Sequence, residues 1–306
     1  MKRAAMILGV LAVAVFAAAQ QQAPTQQTPP AAAQGATQGS AAPAAPGKRP
    51  PQAKTQPEFD AYNAATANQK DPATMEKAAD DFAAKFPDSE LRGLLYKAAM
   101  RAYQNANNGE KMAEMAQKLL KLDPDDPEAL IASAEVMAER TRSTDLDKDQ
   151  RFDQATKLAQ HALETIDTDV PIPAGTPQAQ IDQYKGLLRS TAFSVLGTIQ
   201  YNQDKFAEAE GYFRKSIDAY PTQPDPVVVI RLALALDKQG KYPDALKEAN
   251  RAVELTQDGT AAGTTARHER DRLVQLTGGI SPSGSNPTPA SKPPASAPQA
   301  ATPPVH

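Results

Sequence analysis

The residues best able to do chemistry are few and badly spaced for it. The three histidines, His161, His268 and His306, lie far apart along the chain. A metalloprotease helix needs two histidines four residues apart around a glutamate, and no pair here has that spacing. The stretch DLDKD offers Asp145, Asp147 and Asp149 at the intervals that open a calcium loop. Such a loop needs glycine at its sixth place and glutamate at its twelfth, and Gln150 and Thr156 stand there instead. SPSGS (Ser281–Ser285) lacks the strand and helix that would present a nucleophilic serine. DPDDP (Asp123–Pro127) reads as a helix stop followed by an N-cap rather than an acidic catalytic pair. The absence of cysteine rules out thiol catalysis, thiolate metal sites and disulfides. The expectation is a protein that is not an enzyme, with no metal and no cofactor.

Function must then lie in a surface, and composition limits its kind. The net charge of −3 lacks the basic footprint of a nucleic-acid binder. Aromatic residues make up only 5% of the chain against 41% hydrophobic, so alanine supplies much of the apolar content. Small apolar side chains suit close helix packing better than a sheet, whose strands favour β-branched and aromatic residues. The expected fold is all-α.

The ends are separable from that fold. Residues 1–19 place Lys2 and Arg3 before an apolar run from Ala4 to about Phe16, and Ala17-Ala18-Ala19 follows. This is the pattern of a secretory signal peptide cleaved after Ala19. The apolar run is short for a membrane span of ~20 residues. No cysteine follows it to carry a lipid, so no stable membrane anchor is expected after cleavage, and the mature chain should be periplasmic or secreted. Residues 20–56 (Pro/Gln/Ala-rich) and 278–306 (Pro/Ser/Ala-rich) hold too few large apolar side chains to offset the entropy of ordering. Both read as disordered, and the PAAP at Pro43–Pro46 reads as part of a flexible linker.

Between them, the prolines mark out helices. Pro57, Pro72, Pro127, Pro177, Pro226 and Pro243 stand where helices could begin, because a first-turn residue has no use for its N–H. Asp71, Asp126 and Thr176 precede three of these as N-cap candidates. Pro87, Pro124 and Pro221 close apolar helical patterns. The helices so delimited fall in pairs.

One pair is distinctive. From Phe193 the chain runs Leu196-Gly197, Tyr201, Ala209, Phe213 and Pro221. This resembles the tetratricopeptide repeat, W-x2-L-G-x2-Y, then A-x3-F, then P, with Phe193 in the tryptophan place and Tyr201 one place late. Gly197 and Ala209 are small where the two helices of a hairpin must approach. Weaker copies run through Phe59, Tyr62, Ala79, Phe82 and Pro87; through Tyr96, Ala99, Tyr103, Ala116 and Pro124; through Leu130, Ala134, Phe152, Ala155 and Ala162; and through Leu232, Leu236, Gly240, Ala245 and Ala252. In the third, a polar segment from Arg142 to Gln150 lengthens the turn between its helices. A charged helix from about Thr265 to Leu276 suits the polar cap that a repeat stack needs. The resemblance implies an α-solenoid of about five repeats with a C-terminal capping helix over residues 57–277, flanked by disordered segments.

It also implies a groove lined by the first helix of each pair, binding a partner protein or an extended peptide. The residues turned into it would be Asp60 and Asn68; Lys97, Arg101, Gln104 and Asn105; Glu135 and Glu139; Ser194, Thr198, Tyr201 and Asn202; and Asp237 and Lys238. Positive charge falls in the second pair, negative in the third and neutral polar groups in the fourth, which suits an extended polar or charged peptide. As surface residues, Lys97 and Arg101 should tolerate substitution with little change in stability. The role implied is a protein-interaction scaffold, with a component of envelope assembly (outer-membrane protein insertion or cell-wall and division machinery) as the narrower alternative.

Overall fold

A computed structural model describes residues 47–67 and 71–278. The signal sequence, most of the Gln/Ala/Pro-rich linker, nearly all of the Pro/Ser/Ala-rich tail, Asn68 and His306 lie outside the described residues.

Eleven helices follow one another among the described residues, and the only β-type pairing is one isolated bridge. They form five hairpins and a cap: α1 (Gln56–Thr66) with α2 (Pro72–Lys85), α3 (Arg92–Asn105) with α4 (Gly109–Leu120), α5 (Pro127–Arg140) with α6 (Lys148–Thr165), α7 (Gln178–Asn202) with α8 (Phe206–Ala219), α9 (Pro226–Lys238) with α10 (Tyr242–Glu254), and α11 (Ala261–Leu276). Each helix packs chiefly on its neighbours in the chain, as a solenoid requires.

Local chemistry sets the helix starts. Asp71 accepts the Thr74 N–H, Asp126 that of Ala129 and Asp225 that of Val227, each ahead of a first-turn proline. The start of α7 departs from expectation. Pro177 is itself the N-cap, and the Thr176 hydroxyl turns back to the Pro173 carbonyl at 2.8 Å. Three hairpin turns share one geometry: Asn107 (φ 55°), Asp204 (φ 59°) and Gly240 (φ 73°) adopt the left-handed conformation. In each, the next N–H bonds five residues back, to Tyr103, Gln200 or Leu236.

The core is a chain of linked clusters rather than one centre. Met75, Leu95, Met115 and Leu119 fill the first two hairpins, Ile131, Ile166 and Leu188 the middle, and Phe213, Leu232, Leu236, Leu246 and Leu273 the end. The Gly197–helix contact is closer than its pairing with Ala209 suggested. A Cβ on Gly197 would lie 2.6 Å from the fully buried Phe213 ring, so even alanine does not fit there without movement.

α7 starts beside Pro177, as the proline placement predicts, and runs on unbroken through its repeat, 25 residues in one helix. One feature departs from the sequence reading. Residues 47–55, which composition assigned to the disordered linker, lie along the solenoid. Lys48 exchanges main-chain bonds with the 170–172 segment, its N–H to Val170 O (3.2 Å) and its carbonyl from Ile172 N–H (3.3 Å). Ala53 packs on the first core cluster.

Candidate binding groove

The first helices α3, α5, α7 and α9 bring some of the residues assigned to the groove together, and in two ways.

At its N-terminal half the charges meet one another. Lys97 and Arg101 are four residues apart, so both leave α3 on one side. They face Asp126, the N-cap of α5, and Glu128 in its first turn. Lys97 Nζ lies 2.5 Å from Asp126 and 3.3 Å from Glu128. Arg101 grips both oxygens of Glu128, at 2.8 and 2.6 Å. The extended start of α7 brings Tyr184 over this group, its hydroxyl donating to Glu128 and lying 3.3 Å from Arg101. Lys97 is only 8% exposed. Burial alone would pull the Lys97 ammonium towards neutrality, but the Glu128 and Asp126 carboxylates outweigh it and hold its pKa above the ordinary lysine value. Burial likewise opposes charge on Glu128, yet Lys97 and Arg101 hold its pKa down at about 2. Burial and the neighbouring Glu128 push the Tyr184 phenol up. The expectation of an exposed, tolerant basic face is therefore corrected for Lys97. The physical reason is that α5 presents its N-cap carboxylate and first-turn glutamate to the same side of the neighbouring hairpin.

At its C-terminal half the face stays open. Glu139 from α5, Thr198, Tyr201 and Asn202 from α7, Phe213 from α8, and Arg231 and Leu234 from α9 line a concavity of about 350 Å³. The Arg231 guanidinium donates to Thr198 Oγ1 at 2.8 Å and lies 3.6 Å from Glu139. Asn202 Nδ2 donates to the Ala138 carbonyl at 3.1 Å, tying α7 to the end of α5. The Tyr201 ring stands edge-on to Phe206 at 5.3 Å. Burial, with Asp237 next, raises its phenol above the ordinary tyrosine value. A second concavity of about 560 Å³ adjoins through Glu139 and is lined further by Arg140, Arg142, Asp145 and Arg151. It sits at the lengthened α5–α6 turn, beside the fully exposed Leu146. The combined surface sets the apolar edges of Leu234 and Tyr201 beside the mutually bonded Arg231, Thr198 and Glu139 and the arginine-lined turn. That is chemistry for an extended chain with polar or acidic side groups.

The remaining residues are dispersed. Asp60 is exposed and accepts a bond from Gln56 in its own helix. Gln104 and Asn105 are exposed at the end of α3, Glu135 and Ser194 are half-buried, and Lys238 is exposed at the end of α9. Asp237 is engaged by the cap, 2.6 Å from Arg272, which also holds Glu269 at 2.8 Å. The sequence reading missed Tyr184, Arg231 and Leu234. Only Arg231 left a sign, a single cation inside the apolar run VVVIRLALAL of α9. His161 lies 2.8 Å from Asp125, and that carboxylate raises its pKa. Among the described residues no cluster of His, Asp or Glu is placed to hold a metal ion, and no helix is long and apolar enough to cross a membrane.

No family model and no curated protein matches the chain. Solved structures do. PilF of Pseudomonas aeruginosa is 16% identical with a TM-score of 0.50, over 73% of this chain and 87% of that one. MamA is 16% identical with a TM-score of 0.40, over 62% and 89%. YrrB, described as a TPR protein with an unusual peptide-binding site, is 14% identical with a TM-score of 0.41, over 66% and 86%. At these identities the likeness concerns the fold, which is the tetratricopeptide solenoid.

Proposed function

We propose that this protein is a non-enzymatic scaffold that holds an extended segment of a partner protein in the open half of its groove. The observation that carries the reading is the concavity of about 350 Å³ where Glu139 of α5, Thr198, Tyr201 and Asn202 of α7, and Arg231 of α9 converge from three hairpins. Donors, acceptors and an apolar floor side by side suit main-chain and side-chain recognition of a peptide. The basic n-region, short apolar run and Ala17-Ala18-Ala19 support export and cleavage after Ala19, and so a place in the periplasm or outside the cell. Export in turn supports a role in envelope assembly as the narrower form of the same function.

Site-specific photo-crosslinking in intact cells tests it. A crosslinker at Tyr201 or Leu234 should capture a discrete partner, and one at Lys247, exposed on the second helix of the fifth hairpin, should not. Equal capture at all three positions overturns the groove assignment. N-terminal sequencing of the exported protein should begin at Gln20; a retained Met1 overturns cleavage.

A further inference from the structure

The turns that join successive hairpins line up along one edge of the solenoid, and residues 47–54 run across three of them. At the α2–α3 turn, Arg49 Nη2 reaches both oxygens of Glu90 at 2.9 Å, the Gln52 N–H donates to Glu90 at 3.2 Å, and Lys54 Nζ donates to the Asp88 carbonyl at 2.7 Å. At the α4–α5 turn, Lys48 Nζ lies 2.7 Å from both oxygens of Asp123. At the α6–α7 turn, the Lys48 main chain pairs with Val170 and Ile172, and Asp169 stands 3.8 Å from its ammonium. Each turn thus contributes an acidic side chain or free main-chain groups, and the segment GKRPPQAK answers with three cations.

The fit is steric as well as electrostatic. A Cβ on residue 47 would lie 2.7 Å from Ile172 Cδ1 and 2.9 Å from the Val170 carbonyl, so the approach of the segment depends on Gly47. The turn it meets is itself braced, since Ser89 donates to the buried Glu58 carboxylate while its oxygen accepts the Leu91 N–H at 3.0 Å. None of these contacts belongs to the groove, and the proposal stands apart from the function assigned to it.

We propose that this acidic edge is a binding surface for a basic, extended peptide segment, and that the chain's own residues 47–54 occupy it in cis. Pro50 and Pro51 keep the segment extended and reduce the entropy lost on docking. By joining three turns it clasps the first four hairpins. The surface pairs are exposed, so the docking should weaken as salt rises.

Hydrogen exchange in the full mature chain tests the proposal at two amides, Lys48 and Ile172. In wild type both should exchange at least about tenfold more slowly than in a Lys48→Glu/Arg49→Glu variant, and Gly47→Val should release them equally. Adding Glu90→Arg and Asp123→Lys to the double variant should restore protection by reversing the sign of both partners. Amides in α9 and α10 report that the fold is intact in every variant. A peptide of residues 47–55 should bind the double variant in trans and not the wild type, whose edge is filled. Equal exchange at Ile172 in wild type and the double variant overturns the clasp. Protection lost but not regained in the charge-reversed chain, or a trans peptide that binds both forms alike, overturns charge recognition at this edge.

Discussion

Between α3 and α5 the first-helix face carries Lys97, Arg101, Asp126 and Glu128, and their charges are spent on one another under Tyr184. Between α5 and α9 the equivalent face carries Glu139, Thr198, Asn202 and Arg231, and a concavity of about 350 Å³ remains. The difference comes from α7, whose 25 residues exceed the 14 of α3 and of α5. The start of α7 lays Tyr184 over the N-terminal half, while its last turns line the concavity of the other with Thr198, Tyr201 and Asn202. Charge sorted by repeat is therefore a poor guide to a binding face. What decides is whether a neighbouring element reaches the charges first.

The largest expected effect breaks the closed half. Glu128→Ala leaves the buried Lys97 with Asp126 alone and should cost about 3 kcal/mol, read from urea unfolding. An unchanged midpoint would mean that the cluster does not hold the two helices together. Acid should act on the same group. Glu128 has its folded pKa lowered to about 2, so its contribution is full above the ordinary carboxylate value and is lost as pH falls towards 2. Stability should thus decline between about pH 4.3 and 2 in wild type. In Glu128→Gln that part of the decline should be missing. A milder change targets the hairpin beneath the open half. Gly197→Ala should destabilise by about 1–3 kcal/mol through the Phe213 ring, against the gain that helix propensity alone would give. Thermal melts that place the alanine variant above wild type would show that the ring can move aside. The smallest effect sharpens the contrast from the open side. Arg231→Ala removes a partly buried ion pair and the hydrogen bond to Thr198 and should cost about 1 kcal/mol, yet it should reduce crosslinking from Tyr201 markedly. Retained crosslinking would move the site away from α9.

Much of the scaffold could be read from residue types alone. Pro72, Pro127 and Pro226 begin their helices because a first-turn proline loses no hydrogen bond, and the aspartate before each caps it whatever the fold. The Leu196-Gly197…Ala209…Phe213 spacing was legible for a similar reason: a hairpin brings residues near in sequence together. The concavity between α5, α7 and α9 was legible only in part. Thr198, Tyr201, Asn202 and Glu139 meet as their helix positions imply. Arg231 reaches them from the next hairpin, and nothing in spacing within one helix reports a partner 33 residues away. Residues 47–55 were misread because their composition gives them no core to bury. Their order comes instead from acidic turns far along the chain.

The sequence by itself determined where helices start and stop, that they pair, and which small residues let them approach, since these depend on interactions within about one hairpin. The tertiary structure alone decided that Lys97 is buried and charged, that Tyr184 closes one half of the groove while the other stays open, and that Gly47–Lys54 lies across three turns. Those outcomes rest on contacts between residues tens of positions apart. Their strength depends on desolvation and distance, quantities that exist only once the solenoid has closed around them.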